Sequence, residues 1–491
     1  MAPLLANRID VLRRSWNGAA GLRIKGFLSD ALNAIGLRKG SNLLLVVLIL
    51  GLVGSVVASA YVGAMRLLTA LGQPALHHPW TLLLMTTGAG AAISLCLHAF
   101  GDPGNTEALV DGVHLTGGPS DLRRVPPLIP VSLLTISFGG GIGPEAPLVQ
   151  LTGTLGGIFG RHTMTGLADR RTVTIAGMGI GFTVLFGAPL GGALFALEIL
   201  HRKGMQYYEA ILPALVSSAI GYLAYTGLTH LGIGPIWTFP EIHYVHWSEG
   251  GWAIGLALLG AVIAIAFGYL LHYVHWAFSH VPYWTRPIIG GVIIGLIGWA
   301  QPLAIFFGET QLNTMVAAHL AAMTLLGLIA LKMLATTVTI GAEWRGGFII
   351  PLFFLGAATG QFVAHFLSIN PTLAMIVLMT SINVGVTKTP VSTPVLVTAM
   401  TGTGAIPALL IASVISMLVT ARWTVIETQR ERAPVLARID PLHAGARTEA
   451  LAEGLTADDG ARDADSDRPP PAEVPPPAPE WASRARHSDG Q

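Results

Sequence analysis

Glu145 is the only charged residue between Val125 and Gly160. A carboxylate in so long an apolar run is expensive at membrane depth and by default marks a path for a substrate or a proton. Its neighbours sharpen the chemistry. Gly143-Pro144-Glu145-Ala146-Pro147 predicts a helix start, with proline near the first helical position and an acid in the first turn. A helix N-terminus offers unpaired N–H groups and partial positive charge, which is an anion site. A glutamate placed there is a tethered anion. It fills the site while ionised, and protonation releases it and admits a free anion. The plainer role for the same placement is an acid that only stabilises the helix dipole.

A second segment, Trp344-Arg345-Gly346-Gly347-Phe348-Ile349-Ile350-Pro351, also reads as a helix start, with Ile349 where the first has Glu145. Backbone N–H groups of Ile349 and Ile350 can hold an anion opposite Glu145, and the side chains can be apolar because the backbone binds. The plainer role of Gly346-Gly347 is tight packing. Glu198 closes the charge-free run 172–197 and precedes His201, Arg202 and Lys203. It reads as a structural ion pair or hydrogen bond near the membrane interface ahead of a proton relay. Glu343 and Arg345 flank Trp344 and suit either a mutual pair or a vestibule in which Arg345 attracts anions. His272 and His275 have a metal spacing, yet no acid or cysteine lies near them. The two YVHW strings, 244–247 and 273–276, read better as aromatic anchors at the membrane interface. No metal or cofactor is expected, and Gly139-Gly140-Gly141 lacks the strand and Gly-Lys-Ser/Thr of a phosphate loop.

The elements that position these residues are membrane helices. Only 11% of the 491 residues are charged and 52% are hydrophobic, with a mean hydropathy of +0.61. A soluble chain carries about 25% charged residues, so a large water-facing surface is excluded. Lys and Arg number 28 against 27 Asp and Glu, a net charge of +1 that gives no field for nucleic acid. The single cysteine, Cys96, excludes a disulfide framework and a cysteine-based metal site within the chain. The 59 glycines and 31 prolines suit close helix packing and helices that break inside the bilayer.

Apolar blocks run over about 43–71, 80–100, 126–163, 172–200, 210–234, 251–278, 287–308, 316–340, 346–367, 371–386 and 390–420. Several are too long or too broken for one helix of about 20 residues. The block 126–163 has its glycines and a proline in the middle, which predicts helices starting inside the bilayer. Three regions follow. Residues 1–41 form a basic segment placed in the cytoplasm by the positive-inside rule, with no signal peptide. Residues 42–426 form the membrane domain. Residues 427–491, with two proline triplets among charged residues, are expected to be disordered and cytoplasmic. The loop 229–250 lies in a stretch without Lys or Arg and is placed outside.

The membrane domain repeats itself. Residues 143–157 align with 347–361 at an offset of 204, matching Gly143/Gly347, Pro147/Pro351, Leu148/Leu352, Leu151/Leu355 and Gly156/Gly360. Ala188-Pro189-Leu190 similarly matches Thr389-Pro390-Val391 at an offset of 201. Two halves, about 42–235 and 250–426, each broken in the corresponding place, are the pattern of an inverted-repeat transporter.

These same residues carry a resemblance. Residues 141–150, GIGPEAPLVQ, resemble the GREGP signature of the CLC chloride channel and transporter family, and residues 346–351, GGFIIP, resemble its GGIFAP signature. Gly187 to Glu198 is similar to its APLAG helix. Lys332 to Gly341 and Lys388 to Thr401 resemble two helices of its second half, and order and spacing agree from about 40 to 425. The resemblance implies an all-α polytopic membrane protein, an inverted repeat of many tilted and broken helices, working as a homodimer. It implies transport of chloride or a related halide, with Glu145 as the gate and Gly143, Glu145, Phe348, Ile349 and Ile350 around the anion. The sequence departs from the family in three places. The anion-binding serine of the GSGIP motif is replaced in Gly101-Asp102-Pro103-Gly104-Asn105, where Asn105 or Thr106 can donate instead. The inner tyrosine is missing near Val425, and Ile199 stands where coupled members often carry a second glutamate. The expectation is therefore a channel-like or weakly proton-coupled anion pathway in the cell membrane, with both termini cytoplasmic. Proton-coupled chloride or fluoride antiport is the alternative. An intramembrane enzyme is more remote, because no nucleophile–base pair flanks Glu145.

Overall fold

The computed structural model describes residues 43–429, apart from 105, 120, 121, 231, 244, 246, 319 and 427. The basic N-terminal segment and nearly all of the proline-rich tail lie outside the described residues, as does Asn105. Among the described residues sixteen α-helices follow one another: α1 (Leu43–Gly72), α2 (Pro79–Phe100), α3 (Thr106–Thr116), α4 (Val125–Ser137), α5 (Glu145–Thr163), α6 (Leu167–Phe186), α7 (Pro189–Glu198), α8 (Ile211–Thr229), α9 (Trp247–Ser279), α10 (Arg286–Ala300), α11 (Glu309–Ala318), α12 (Ala322–Gly341), α13 (Ile349–Ala364), α14 (Pro371–Thr387), α15 (Ser392–Thr401) and α16 (Ile406–Val419). Among the described residues the only β pairing is an isolated bridge.

Two populations of helix explain the architecture. Among the described residues five segments are long and apolar enough to cross a bilayer, the longest being Leu43–His77. Their outer faces carry exposed Leu52, Val56, Leu84, Leu258 and Val262, a surface that is stable only against lipid. Several of the others are half-length. Helix α4 has 13 residues, and α7 and α15 have 10 each. At 1.5 Å per residue such helices reach about 15–20 Å, against a hydrocarbon core of about 30 Å. They end inside the protein, where backbone groups find protein partners.

The breaks fall where local chemistry puts them. The block 126–163 separates into α4 and α5 across Phe138–Pro144. The blocks 172–200 and 390–420, which look continuous in hydropathy, each hold two helices. Helix α6 ends at Gly187 (φ 65°) and α14 at Lys388 (φ 60°), both left-handed caps. These two positions are 201 apart, the offset of the flanking Pro189 and Pro390.

The repeat is written most plainly in the lead-ins to α5 and α13. Gly140 N donates to Thr135 O (2.9 Å), and Trp344 N donates to Thr339 O (3.2 Å), each pair related by 204. Gly139 (φ 102°) and Glu343 (φ 66°), again 204 apart, are both left-handed. Then the halves interlock. Gly141 N donates to Thr339 Oγ1 of the other half at 2.9 Å, and its counterpart Arg345 N donates to Thr135 Oγ1 at 3.2 Å. Gly143 and Gly347 form the isolated antiparallel bridge, exchanging N–H···O bonds of 2.6 and 2.7 Å. Every one of these partners is buried or half-buried, so the network satisfies backbone polar groups that lipid cannot.

Close packing behind the lead-ins follows the same symmetry. Gly156 of α5 lies on the Val173 carbonyl of α6, and Gly360 of α13 lies on the Met375 backbone of α14, with no room for a side chain. This is the small-residue packing that brings membrane helices into backbone contact.

Candidate functional site

Helices α5 and α13 start head to head at the Gly143–Gly347 bridge. Glu145 is the first residue of α5, and its side chain is fully buried. Its Oε1 accepts a hydrogen bond from Ile350 N at 2.9 Å. The amides of Ile349 and of Glu145 itself also point at the carboxylate. Its Oε2 is buried and has no hydrogen-bond partner among the described residues. The carboxylate therefore sits on the N-terminus of the opposite helix, half of its hydrogen-bonding capacity unused.

Of the residues singled out in the sequence, the structure brings together Gly143, Glu145, Ile349 and Ile350. A Cβ on Gly143 would strike the Glu145 carboxylate, and one on Gly347 would strike its Cγ and Cδ. Glycine is thus needed at both bridge positions to leave room for the acid, not only for tight packing. Phe348 is the N-cap of α13, and its carbonyl accepts from Leu352 N at 3.0 Å.

Residues on the two sides of Glu145 line different cavities. Pro144 and Ile350 face a cavity of about 200 Å³ that also touches Arg66, Tyr225 and Glu309. Ala146, Pro147, Gly346 and Phe348 face one of about 660 Å³ that also touches Gly104, Arg345 and Val425. No tyrosine stands at Val425, but Tyr269 of α9 and Trp423 line the same cavity. His272 and His275 line it too, and no group of three metal-ligating side chains occurs among the described residues. Tyr273 and Trp276 are 62% and 61% exposed, as aromatic anchors would be.

An acid at Asp102, in the segment 101–105, is a concern for an anion path, and the structure pairs it. Arg345 Nη2 holds Asp102 Oδ1 at 2.7 Å and Glu343 Oε2 at 2.9 Å, while Arg286 Nη1 holds Glu343 Oε1 at 3.0 Å. Glu343 and Arg345 thus pair with each other, and Arg345 lines a vestibule as well. Partial burial raises the Asp102 pKa, but Arg345, the Gly104 amide and Arg124 outweigh it and hold the carboxyl below the usual range. The pair with Arg345 therefore persists at neutral pH and is lost only as pH falls through that depressed value.

Glu198 makes no ion pair among the described residues. It caps α15, accepting from Val391 N (3.0 Å), Ser392 N (2.7 Å) and Ser392 Oγ (2.6 Å). Ile199 beside it is buried.

The sequence reading passed over the role of Lys332. It is buried at 1% exposure, donates to Phe306 O at 2.5 Å, and stands 5.0 Å from the centre of the Phe354 ring, one helical turn beyond Ile350. It is an electrostatic partner of Glu145. The signal was present: Lys332 is the lone charged residue between Glu309 and Glu343, the same pattern that singles out Glu145.

Two head-to-head helix starts, an inverted repeat and a buried glutamate define the architecture, and the voltage gated chloride channel family model matches residues 89–421 of this chain. The chain belongs to that family. As a member of the voltage gated chloride channel family it is a multi-pass integral membrane protein of inorganic anion transport. It is 28% identical over 376 residues to a chloride/fluoride channel protein of Pseudomonas syringae pv. tomato, covering 72% of this chain and 79% of that one. Its fold is similar to that of a slow cyanobacterial Cl−/H+ antiporter, with a TM-score of 0.70, 20% identity, and 82% and 99% of the two chains covered. It is also similar to a CLC-type fluoride/proton antiporter, with a TM-score of 0.69, 21% identity, and 79% and 97% covered.

Proposed function

We propose that this protein conducts chloride, or a related halide, between the two cavities, with the Glu145 carboxylate as the gate. One observation carries the reading: Glu145 Oε1 occupies the α13 N-terminus through Ile350 N–H, with Oε2 unpartnered among the described residues. A carboxylate held in this way is a stand-in for a free anion. When Glu145 is protonated or displaced, the N–H groups of Ile349 and Ile350 and the backbone at Gly143 and Phe348 take the ion, and Lys332 supplies the balancing charge. Asn105, the residue before Thr106 in the sequence, is the candidate donor in place of the family's serine. The apolar Ile349 and Ile350 side chains suit a large, weakly hydrated halide better than a strongly hydrated one.

Ile199, in place of a second acid, favours a channel-like or weakly coupled pathway. Proton-coupled antiport is the second reading, and it is favoured by the similarity to antiporters of chloride and of fluoride. On either reading the protein functions as a homodimer in the cell membrane, with both termini in the cytoplasm.

The test is halide efflux from proteoliposomes with simultaneous recording of external pH, for the native protein and Glu145→Gln. The native protein should release chloride faster as pH falls. Glu145→Gln, a permanent mimic of the protonated acid, should lose that pH dependence and run about tenfold faster at neutral pH, the loss of one charge-assisted hydrogen bond. Stoichiometric proton uptake would assign antiport. No efflux of chloride or fluoride by either protein would overturn the gating role of Glu145.

A further inference from the structure

Glu309 carries a carboxylate that the fold does not use. The residue is half-buried at the start of α11, and it is the one acid lining the smaller cavity among the described residues. Its backbone is employed, since its carbonyl accepts from the Trp237 Nε1–H at 2.9 Å. Its carboxylate makes no hydrogen bond and no ion pair among the described residues. Arg66, exposed on α1, lines the same cavity and is its electrostatic neighbour, without forming an ion pair with it. An acid that a membrane domain leaves unpaired marks by default a path for a substrate or a proton. A carboxylate repels an anion, which leaves the proton.

The chain before Glu309 is pinned from the side of the gate. Phe306 N donates to Gly139 O at 3.1 Å, in the lead-in to α5. The Phe306 carbonyl accepts from Lys332, the electrostatic partner of Glu145. Phe306 is left-handed (φ 60°), and Gly308 (φ 111°) packs on the Phe354 ring. A phenylalanine is strained in that conformation, and such strain persists only where the surroundings fix it. Glu309 thus sits on a bracket whose other points are the approach to Glu145 and its counter-cation. The cavity in front of it, about 200 Å³, reaches Pro144, the residue before Glu145, and Ile350, whose amide holds the Glu145 carboxylate. That volume takes several waters at about 30 Å³ each. The other titratable side chains lining it are Arg66 of α1 and Tyr222 and Tyr225 of α8. Helix α13 and the segments 232–237 and 302–308 carry none.

We propose that Glu309 is a proton relay, passing protons between solution and Glu145 through water in the smaller cavity. The Glu309 carboxyl gives its proton to the near end of the water chain. The far end gives one to the Glu145 carboxylate, which is thereby freed from Ile350 N–H. Glu309, left ionised, is recharged from solution, so one proton enters for each that arrives. Arg66 is a positioning residue: its charge draws the ionised carboxylate towards the cavity. An acid at the start of a helix also suits the helix dipole, but that role carries no proton and is blind to buffer. This inference rests on the reading of Glu145 as a proton-operated gate, and the two fail separately. Native flux that ignores pH sinks the gate, whereas pH-dependent native flux with unmoved Glu309 variants sinks only the relay.

The experiment follows the rise of chloride efflux after a rapid acid step, applied to each side of the reconstituted full chain in turn. Native protein, Glu309→Gln and Glu309→Asp are compared in weak buffer and again with imidazole on both sides. After a step on the side of the smaller cavity, Glu309→Gln should slow the rise about a hundredfold, the lower end of what a positioned acid contributes to proton transfer. After a step on the other side it should follow the native rate. Imidazole, carrying protons in place of the missing acid, should restore most of the lost speed, and Glu309→Asp should keep most of it. Imidazole should add little to the native protein, which tests the relay even if Glu309→Gln does not assemble. A native rate in Glu309→Gln, an equal slowing on both sides, a slowing that imidazole does not relieve, or a large acceleration of the native protein by imidazole would each overturn the proposal.

Discussion

The lead-in to α5 and the lead-in to α13 have one backbone and opposite side chains. Both carry a left-handed residue, both return an N–H to a threonine carbonyl, and both end in the bridging glycine. Yet the first runs Gly139, Gly141, Glu145 where the second runs Glu343, Arg345, Ile349. The first lead-in places its only charge at the helix start and leaves the approach bare. The second half leaves its helix start bare and charges the approach. Two copies of a charged start would face two carboxylates across one bridge, and like charges that close cannot both remain ionised. Two bare starts would leave the N–H groups with no tethered occupant. The duplicated backbone supplies the cradle, and the divergence decides who lies in it.

Substitutions that remove the asymmetry test this. The largest effect is expected from Gly347→Ala, whose Cβ would meet the Cγ and Cδ of Glu145. It should cost about 3 kcal/mol of stability, as overpacking does, read as a lowered unfolding temperature with loss of flux. Adding Glu145→Ala should recover most of that loss, because Glu145 supplies the three nearest contacts; a strictly additive double variant would refute the steric account. Next is Glu343→Gly, which gives the second lead-in the residue of the first. It removes about 1 kcal/mol of backbone strain but strips two arginines of a buried partner, which costs about 3–5 kcal/mol. A net fall of roughly 2 kcal/mol or more is expected; a rise in unfolding temperature would mean that strain, not charge, dominates there. The smallest is Ile349→Glu, which installs the acid of the first start on the second. Flux at neutral pH should fall about tenfold and recover on acidification, whereas pH-independent loss would point to simple blockage.

Much of this was legible beforehand, for identifiable reasons. Glu145 stood out because one charge in an apolar run has few uses in a membrane. The break before it showed because glycines and a proline cluster there. The repeat showed because close packing and the bridge demand glycine at the same places in both halves. Other features were hidden. The divisions at Gly187 and Gly402 rest on a single positive-φ glycine within an unbroken apolar block, so hydropathy merges α6 with α7 and α15 with α16. Arg345 and Asp102 lie 243 residues apart, and no local pattern announces such a pairing. Glu198 reads from sequence as a structural ion pair or hydrogen bond, and of the two it makes hydrogen bonds, but its partners at Val391 and Ser392 are more than 190 residues away and no local pattern announces them. Lys332 was visible by the same rule as Glu145 and was passed over as part of a helix motif.

The Gly143–Gly347 bridge has a consequence for ancestry. A bond in which residue i pairs with residue j and j pairs back with i is the signature of a two-fold axis. In a chain of half this length, the two partners would be the same glycine on two copies, meeting across an antiparallel homodimer in the bilayer. Such a bridge joins only molecules inserted in opposite directions, so the ancestral subunit had to enter the membrane both ways up. Within one fused chain each orientation is fixed, and the two copies are free to differ, Glu145 in one and Ile349 in the other.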